Sequence, residues 1–249
     1  MESFHTDNIV LNCSATAGGH MSQVSSSNTD KLPDVLMAAF SQNARVITLR
    51  RGQFIAVTGT AADEVYLVLS GRVQATVISP NGRETILREV AAGQLIGDFA
   101  VLGGANRSTN IVARDAARLA GIPGAQFHKI VTGNDVVAAW MMANLVGQLR
   151  TMSQRLYEMS TLGVGLRVCA ELLRLCQARG LTAGAVEIDA APTHSEIAAL
   201  IGANRESVTR ELNDLSAQGL IAQAGRKLRI TSVERLAAIV DRQSAGGIA

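Results

Sequence analysis

From Ala138 to Met159 apolar side chains recur at alternating steps of four and three: Ala138, Met142, Leu145, Leu149, Met152, Leu156 and Met159. No strand carries that period. A helix that keeps it unbroken presents one narrow seam, which winds with a partner helix as a left-handed coiled coil. The spacing predicts a helix from Asp135 to about Ser160, on the order of 40 Å long at 1.5 Å per residue. Met142, Leu145, Leu149, Met152, Leu156 and Met159 are the expected seam of a parallel homodimer; packing of the same stripe on the chain's own domain is the alternative.

A long helix in mid-chain divides the 249 residues into two parts with different patterns. Upstream, β-prone pieces recur at Val46–Leu49, Val65–Leu69, Val73–Ile78, Glu84–Leu87 and Ile111–Ala113. Glycines and the turn Pro80-Asn81-Gly82 punctuate them, which predicts an antiparallel roll or barrel. Leu32 to Ala44 reads as one short amphipathic helix before the strands. Residues 1–30 contain Glu2, Asp7 and Asp30 but no Lys or Arg, and read as a loose arm with room for a short ordered piece near Ile9–Leu11.

Downstream, Val168, Leu172, Leu173 and Leu175 fit one buried helix. Thr193-His194-Ser195-Glu196 then has the form of a capping box, with Thr193 as N-cap and Glu196 in the reciprocal position. That helix should end at Gly202, and Asn204 should cap a second one running to about Gln218 with Val208, Leu212 and Leu215 buried. Two short helices across a glycine turn form a helix-turn-helix. Leu220–Ile221 and Leu228–Ile230, joined through Gly225-Arg226-Lys227, would add a wing.

A helix-turn-helix sets the start of its second helix against base edges in the major groove. Arginine makes bidentate bonds to guanine and glutamate accepts from cytosine, so Arg205, Glu206 and Arg210 make a G/C-reading set, with Thr209 on the same face. Thr193, His194 and Asn204 lie near helix starts, where side chains and backbone N–H groups hold phosphates. Arg226, Lys227 and Arg229 on the wing would add electrostatic contacts. The bland alternative is an ordinary i,i+4 surface pair between Glu206 and Arg210. The formal net charge is only +2, so placement rather than bulk charge must carry any DNA binding.

Gly97-Asp98-Phe99 through Asn106-Arg107-Ser108-Thr109 sits in the β region and combines glycines, one carboxylate, one guanidinium and two hydroxyls. Arg107 with Ser108 could clamp a phosphate by charge-assisted hydrogen bonds, and Asp98 could accept from a ribose hydroxyl. A simple pairing of Asp98 with Arg107 across a surface turn is the alternative.

Composition narrows the rest. Hydrophobic residues make up 47%, enough for a core. No apolar run reaches the roughly 18 residues of a membrane span, and no signal-peptide pattern opens the chain, so no membrane partner is expected. The 3 cysteines, Cys13, Cys169 and Cys176, form no CxxC pair, which fits a reducing cytoplasm. No nucleophile–base set or metal-ligand cluster stands out, so neither enzyme activity nor a metal or haem is expected.

On these residues the chain resembles the catabolite activator/FNR (CRP/FNR) family of bacterial transcription regulators, closest in pattern to the cyclic-nucleotide-binding branch. The resemblance covers roughly 35–235. It rests on Gly71-Arg72-Val73, Gly82-Arg83-Glu84, Ile96-Gly97-Asp98, Asn106-Arg107-Ser108, Glu196-Ile197-Ala198 and Arg205-Glu206-Ser207-Val208-Thr209-Arg210. It implies an α+β fold: an N-terminal antiparallel β-roll of cyclic-nucleotide-binding type over 31–133, a dimerisation helix over 134–161, and a C-terminal winged helix-turn-helix over 162–249, behind a flexible arm over 1–30. It implies cAMP or cGMP as allosteric ligand, with Gly97 and Asp98 on the ribose side and Arg107 and Ser108 on the cyclic phosphate. Leu87 and Arg88 would border the base, and Ser153 would reach it from across the dimer.

Arg205, Glu206 and Arg210 match the trio of the branch that reads palindromic TGTGA-type half-sites in double-stranded DNA, and RNA polymerase is the implied partner. Three positions depart from the family. Asp98 stands for the usual glutamate, Met152 for a threonine, with Thr151 one position earlier, and Gln148 for a frequent arginine. Arg88 is placed to meet a guanine carbonyl. Cys13 stands alone near the N-terminus, which speaks against the iron–sulfur branch.

Overall fold

A computed structural model describes residues 31–245, with side chains as far as Asp241. The N-terminal arm, the Ile9–Leu11 piece and Cys13 lie outside the described residues. In chain order the elements begin with α1 (Asp34–Asn43), β1 (Arg45–Leu49), β2 (Phe54–Ala56), β3 (Glu64–Ser70) and β4 (Arg72–Ile78). Then come β5 (Glu84–Ala91), β6 (Leu95–Ile96), α2 (Asp98–Leu102), β7 (Asn110–Ala113), β8 (Ala117–Pro123) and α3 (Gly124–Gly133).

The strands form two four-stranded antiparallel sheets, in the orders β1-β8-β3-β6 and β2-β7-β4-β5. Their facing sides enclose a core that includes Tyr66, Val68, Val73, Val90, Ile111 and Leu119. The first sheet is covered on its other side as well. Val65 and Leu67 of β3 and Ala120 and Ile122 of β8 pack with Leu36, Phe40, Phe127 and Trp140 from helices. That double burial explains why Val65–Val68 is an unbroken apolar run instead of an alternating one.

Strand β8, with the sequence ARLAGIP, has a single β-branched residue, Ile122, to announce it. It nevertheless lies between β1 and β3, paired with both. Its Gly121 is where the Tyr66 ring lies against the backbone: an added Cβ would stand 3.0 Å from the ring. Close approach, rather than strand propensity, sets the residue there.

The long helix α4 runs from Asp135 to Thr161, capped by Asn134, whose side chain accepts from the Val137 N–H. Its face with Val137, Trp140 and Met141 packs on the roll. Helix α5 (Val164–Gln177) follows, then β9 (Val186–Ile188), α6 (His194–Ile201), α7 (Arg205–Ala217), β10 (Ile221–Ala224), β11 (Lys227–Ile230) and α8 (Val233–Ala245). Strand β11 pairs antiparallel with β10 and β9, so the wing hairpin is completed by a third strand that the sequence pattern does not announce. Val168, Leu172, Ile197, Val208, Leu212, Leu228 and Leu236 share one core. The fold is thus α+β: β-roll, long helix and winged helix-turn-helix.

Among the described residues, no helix is long and apolar enough to cross a membrane. No group of three or more His, Cys, Asp or Glu residues among them could hold a metal ion.

Candidate functional site

Two groups of predicted residues come together in separate places, one inside the roll and one on the surface of α7. In the roll, β6 ends at Ile96 and the chain turns through Gly97 into the short helix α2. Gly97 has φ of 89°, in the left-handed region that glycine enters without steric cost. It also leaves room for an arginine: a Cβ there would lie 2.5 Å from Arg107 Nη1.

Arg107 is 4% exposed and donates from Nη1 to the Gly97 carbonyl at 2.9 Å and from Nη2 to the Glu64 carbonyl. Its guanidinium carbon lies 5.8 Å from the centre of the Tyr66 ring. Its Nε is buried without a hydrogen-bond partner, a state it shares with the Nε atoms of Arg114, Arg155 and Arg167. Burial and the neighbouring Glu64 push the Tyr66 hydroxyl up to about 12, so the ring stays neutral.

Asp98 is 2% exposed, and burial raises its pKa although Arg88 opposes the shift. The Arg88 guanidinium stands 3.8 Å from the Asp98 carboxylate and donates to the Leu95 carbonyl at 2.9 Å. The surface-turn alternative is therefore replaced by burial of both Asp98 and Arg107, with Arg88 as the cation on Asp98. Arg88 is thus engaged by Asp98 and the Leu95 carbonyl. Ser108 is exposed beside Arg107, and Leu87 is exposed on β5. On α4, Ser153 is exposed, and Gln148 donates to the Asn144 side chain.

Along α4 the exposed apolar stripe is Met142, Val146, Leu149, Met152 and Leu156. Leu145, expected in the seam, is partly buried against the roll's helical cluster. Met159 is 48% exposed, and its methyl carbon lies over Gly202 in the helix-turn-helix turn, 2.6 Å from where a Cβ would be.

In the helix-turn-helix, local sequence accounts for the geometry. The Thr193 hydroxyl accepts from the Glu196 N–H at 3.2 Å and the Glu196 carboxylate accepts from the Thr193 N–H at 2.7 Å, which closes the capping box. Gly202 ends α6 at φ of 66°, and Asn204 starts α7 by accepting from the Ser207 N–H at 2.7 Å. The side-chain oxygens of Thr193 and Asn204 are thus engaged as caps. Val208, Leu212 and Leu215 face the core. Arg205, Glu206, Thr209 and Arg210 line one shallow concavity of the opposite face with Asn213 and Asp214, and both arginines are exposed.

His194 joins the parts. Its Nδ1 lies 2.9 Å from the Thr209 hydroxyl and its Nε2 lies 3.3 Å from Gln223 Oε1 on the wing. Arg226 and Arg229 are exposed, while Lys227 pairs with Asp189 at 3.3 Å in a solvated bridge.

Sequence reasoning missed a third constellation. Arg114, with a side chain 1% exposed, reaches Glu89 of β5 at 2.8 Å and Glu196 of α6 at 3.5 Å. It lies in an ordinary Arg-Asp loop whose carboxylate partners are 25 and 82 positions away, so no local motif marks it.

The chain matches two known family patterns: the cyclic nucleotide-binding domain over residues 46–134 and the Crp-like helix-turn-helix domain over residues 166–239. It is 26% identical over 202 residues to a CRP-like cAMP-activated global transcriptional regulator of Mycobacterium tuberculosis, covering 81% of this chain and 90% of that protein. Among solved structures, FixK2 from Bradyrhizobium japonicum superposes with a TM-score of 0.70 at 21% identity, covering 78% of this chain and 96% of that one. The c-di-GMP responsive global regulator CLP of Xanthomonas campestris gives 0.69 at 19% identity, covering 80% and 99%. The last two likenesses establish the fold.

Proposed function

Because the chain belongs to the CRP/FNR family, with a cyclic-nucleotide-binding domain followed by a Crp-like helix-turn-helix, we propose that it is a homodimeric, sequence-specific transcription regulator switched by cAMP or cGMP. The observation that carries the reading is the contrast of two arginine sites in one chain. Arg205 and Arg210 stand exposed on the leading face of α7, where bidentate contact with guanine is available. Arg107 is buried between the Gly97 turn, where a Cβ would meet its guanidinium, and exposed Ser108.

In this reading Arg107 and Ser108 hold the cyclic phosphate, and Asp98 takes a ribose hydroxyl. The exposed stripe on α4, including Met142, Leu149, Met152 and Leu156, buries itself against a second copy. Two α7 helices then meet half-sites about one DNA turn apart. Palindromic TGTGA-like DNA and RNA polymerase are the partners, in the cytoplasm. Switching requires that the ligand bind the DNA-competent arrangement more tightly than the other.

A second reading, a regulator answering a different small molecule or none, has one observation in its favour. Asp98 already faces Arg88, and Arg107 already bonds the Gly97 and Glu64 carbonyls, so both expected ligand contacts have internal partners. The relative CLP, described as c-di-GMP responsive, shows that this fold accepts other ligands. Calorimetric titration with cAMP and cGMP, followed by operator binding with the tighter one, separates the readings. Binding of either nucleotide that also strengthens operator binding supports the first. Heat-silent titrations with both support the second.

A further inference from the structure

Helix α6 is gripped at both ends by arginines, and most of that grip comes from outside the DNA module. At its start Glu196, which closes the capping box, meets Arg114 at 3.5 Å and Arg51 at 3.6 Å, both from the roll. At its end the Leu200 carbonyl accepts from Arg155 of α4 at 3.4 Å and the Ile201 carbonyl from Arg167 of α5 at 2.7 Å. The Ala203 carbonyl accepts from Arg83, in the turn before β5, at 3.0 Å. Cations suit the carbonyl end of a helix, where the partial charge is negative. The element that carries α7 is therefore held by the roll and by the long helix.

Strand β5 connects this grip to the ligand cassette. Its pairing with β4 steps from Thr76↔Ile86 to Ala75↔Arg88, so Leu87 is the extra residue of a bulge. The bulge resets which side each residue faces. Ile86 belongs to the core of the DNA module, whereas Val90 belongs to the core of the roll. Glu89 lies outward, accepting from Arg114 at 2.8 and 2.9 Å, while Arg88 lies inward against Asp98 at 3.8 Å. One peptide step thus separates the cation on Asp98 from the carboxylate that, through Arg114, faces Glu196.

We propose that Arg114 is a positioning residue for DNA recognition, fixing α6 against β5 through Glu196 and Glu89, and that β5 relays the state of the Asp98–Arg107 site to this clamp. The relay rests on the reading that the site takes a cyclic nucleotide. A ribose hydroxyl on Asp98 competes with Arg88 for the same carboxylate, and Arg88 sits on the strand next to Glu89. Arg114 touches no base in this account; it acts through α6.

The test measures operator affinity with and without saturating cAMP, or cGMP where the wild type binds that more tightly, for the full-length protein and for Glu196→Gln, Glu89→Gln and the double variant. Glutamine at 196 keeps an acceptor for the cap and removes the charge. Thermal melting checks that each variant folds, and calorimetry without DNA checks that each still binds that nucleotide. Each single variant is expected to lose about tenfold of the nucleotide-dependent gain in DNA affinity, about 1.4 kcal/mol of coupling. The double variant should lose less than the sum of the two singles, because both carboxylates share Arg114, although Glu196 also meets Arg51 at 3.6 Å and Glu89 also meets Arg72 at 3.5 Å.

Undiminished gains in both single variants, or losses that simply add, overturn the proposal. A wild type indifferent to both cAMP and cGMP overturns the ligand reading and the relay with it. The clamp then stands or falls on operator affinity alone, about tenfold weaker in the variants if Arg114 positions α6 and unchanged if it does not.

Discussion

Arg107 and Arg205 have the same side chain and opposite surroundings. The first is 4% exposed and bonded to two backbone carbonyls behind Gly97; the second stands exposed one residue after the Asn204 cap. The recognition helix forms by local chemistry, an Asn204 cap and a buried stripe, and presents Arg205 and Arg210 to solvent. The ligand cassette instead holds Arg107 by contacts from β3 and the Gly97 turn. A surface that reads DNA must be exposed before its partner arrives, whereas a site that switches must exchange internal partners for ligand. The second arrangement stores the competition that makes a response possible.

Mutating the buried arginine should give the largest effect. Arg107→Ala removes a buried charge together with its carbonyl partners, so cyclic-nucleotide affinity is expected to fall by about a hundredfold or more, within the 2–5 kcal/mol typical of such truncations. Calorimetry checks this, and wild-type affinity in the variant would place the anion elsewhere. Arg205→Ala should leave nucleotide affinity intact. It should cost about 1–3 kcal/mol of operator binding while relaxing base preference at one position of each half-site, as read by competition among single-base variants of the duplex. Unchanged discrimination would remove Arg205 from the base-reading set.

A smaller effect tests whether α6, the helix that carries the recognition helix, depends on its local cap. Thr193→Ala should lower stability by about 1 kcal/mol in urea unfolding, the usual cost of losing an N-cap. A change near zero would mean that the arginines around α6 hold it without its cap.

The smallest effect contrasts two carboxylates. Burial tends to raise the pKa of Glu196, but the Thr193 N–H and the charge of Arg114 outweigh it and hold the group below the usual carboxylate range. A folded pKa below the unfolded one gives stability that is present above the unfolded value and lost as pH falls through the folded value. Burial holds Asp98 above its usual range, so its penalty grows as pH rises through that range and is relieved in acid. Glu196→Gln should therefore flatten the acid-side loss of stability between about pH 6 and pH 3, while Asp98→Asn should steepen it. Urea melts across that interval check both slopes, and slopes of the same sign would contradict the assignment.

How much of this was legible in the sequence follows the same division. The capping box at Thr193–Glu196, the Asn204 cap and the stripe Val208–Leu212–Leu215 are local patterns, and the structure has each. The long helix was equally legible, because its period is local. Which side of it faces the roll was not: Leu145 packs inward and Val146 is exposed, a choice made by Trp140 and Met141 seating on the roll.

Strand β8 was invisible because ARLAGIP, rich in Ala, Gly and Pro, has little β propensity and its pairing with β1 and β3 is long-range. The same reason hid Arg114. The orientation of Arg88 turned on a one-residue bulge, and a bulge leaves no mark in a strand of eight residues. The cassette showed which groups are present, but Asp98 and Arg107 acquire their partners only through tertiary pairing.

The most direct test of the account is an anisotropy titration of a palindromic TGTGA-type duplex with the full-length protein, with and without cAMP or cGMP, run beside Arg205→Ala. The account predicts that one nucleotide strengthens wild-type binding at least tenfold, and that the variant keeps the nucleotide but loses preference for the palindrome. Operator binding that neither nucleotide alters, together with undisturbed base preference in Arg205→Ala, would contradict it.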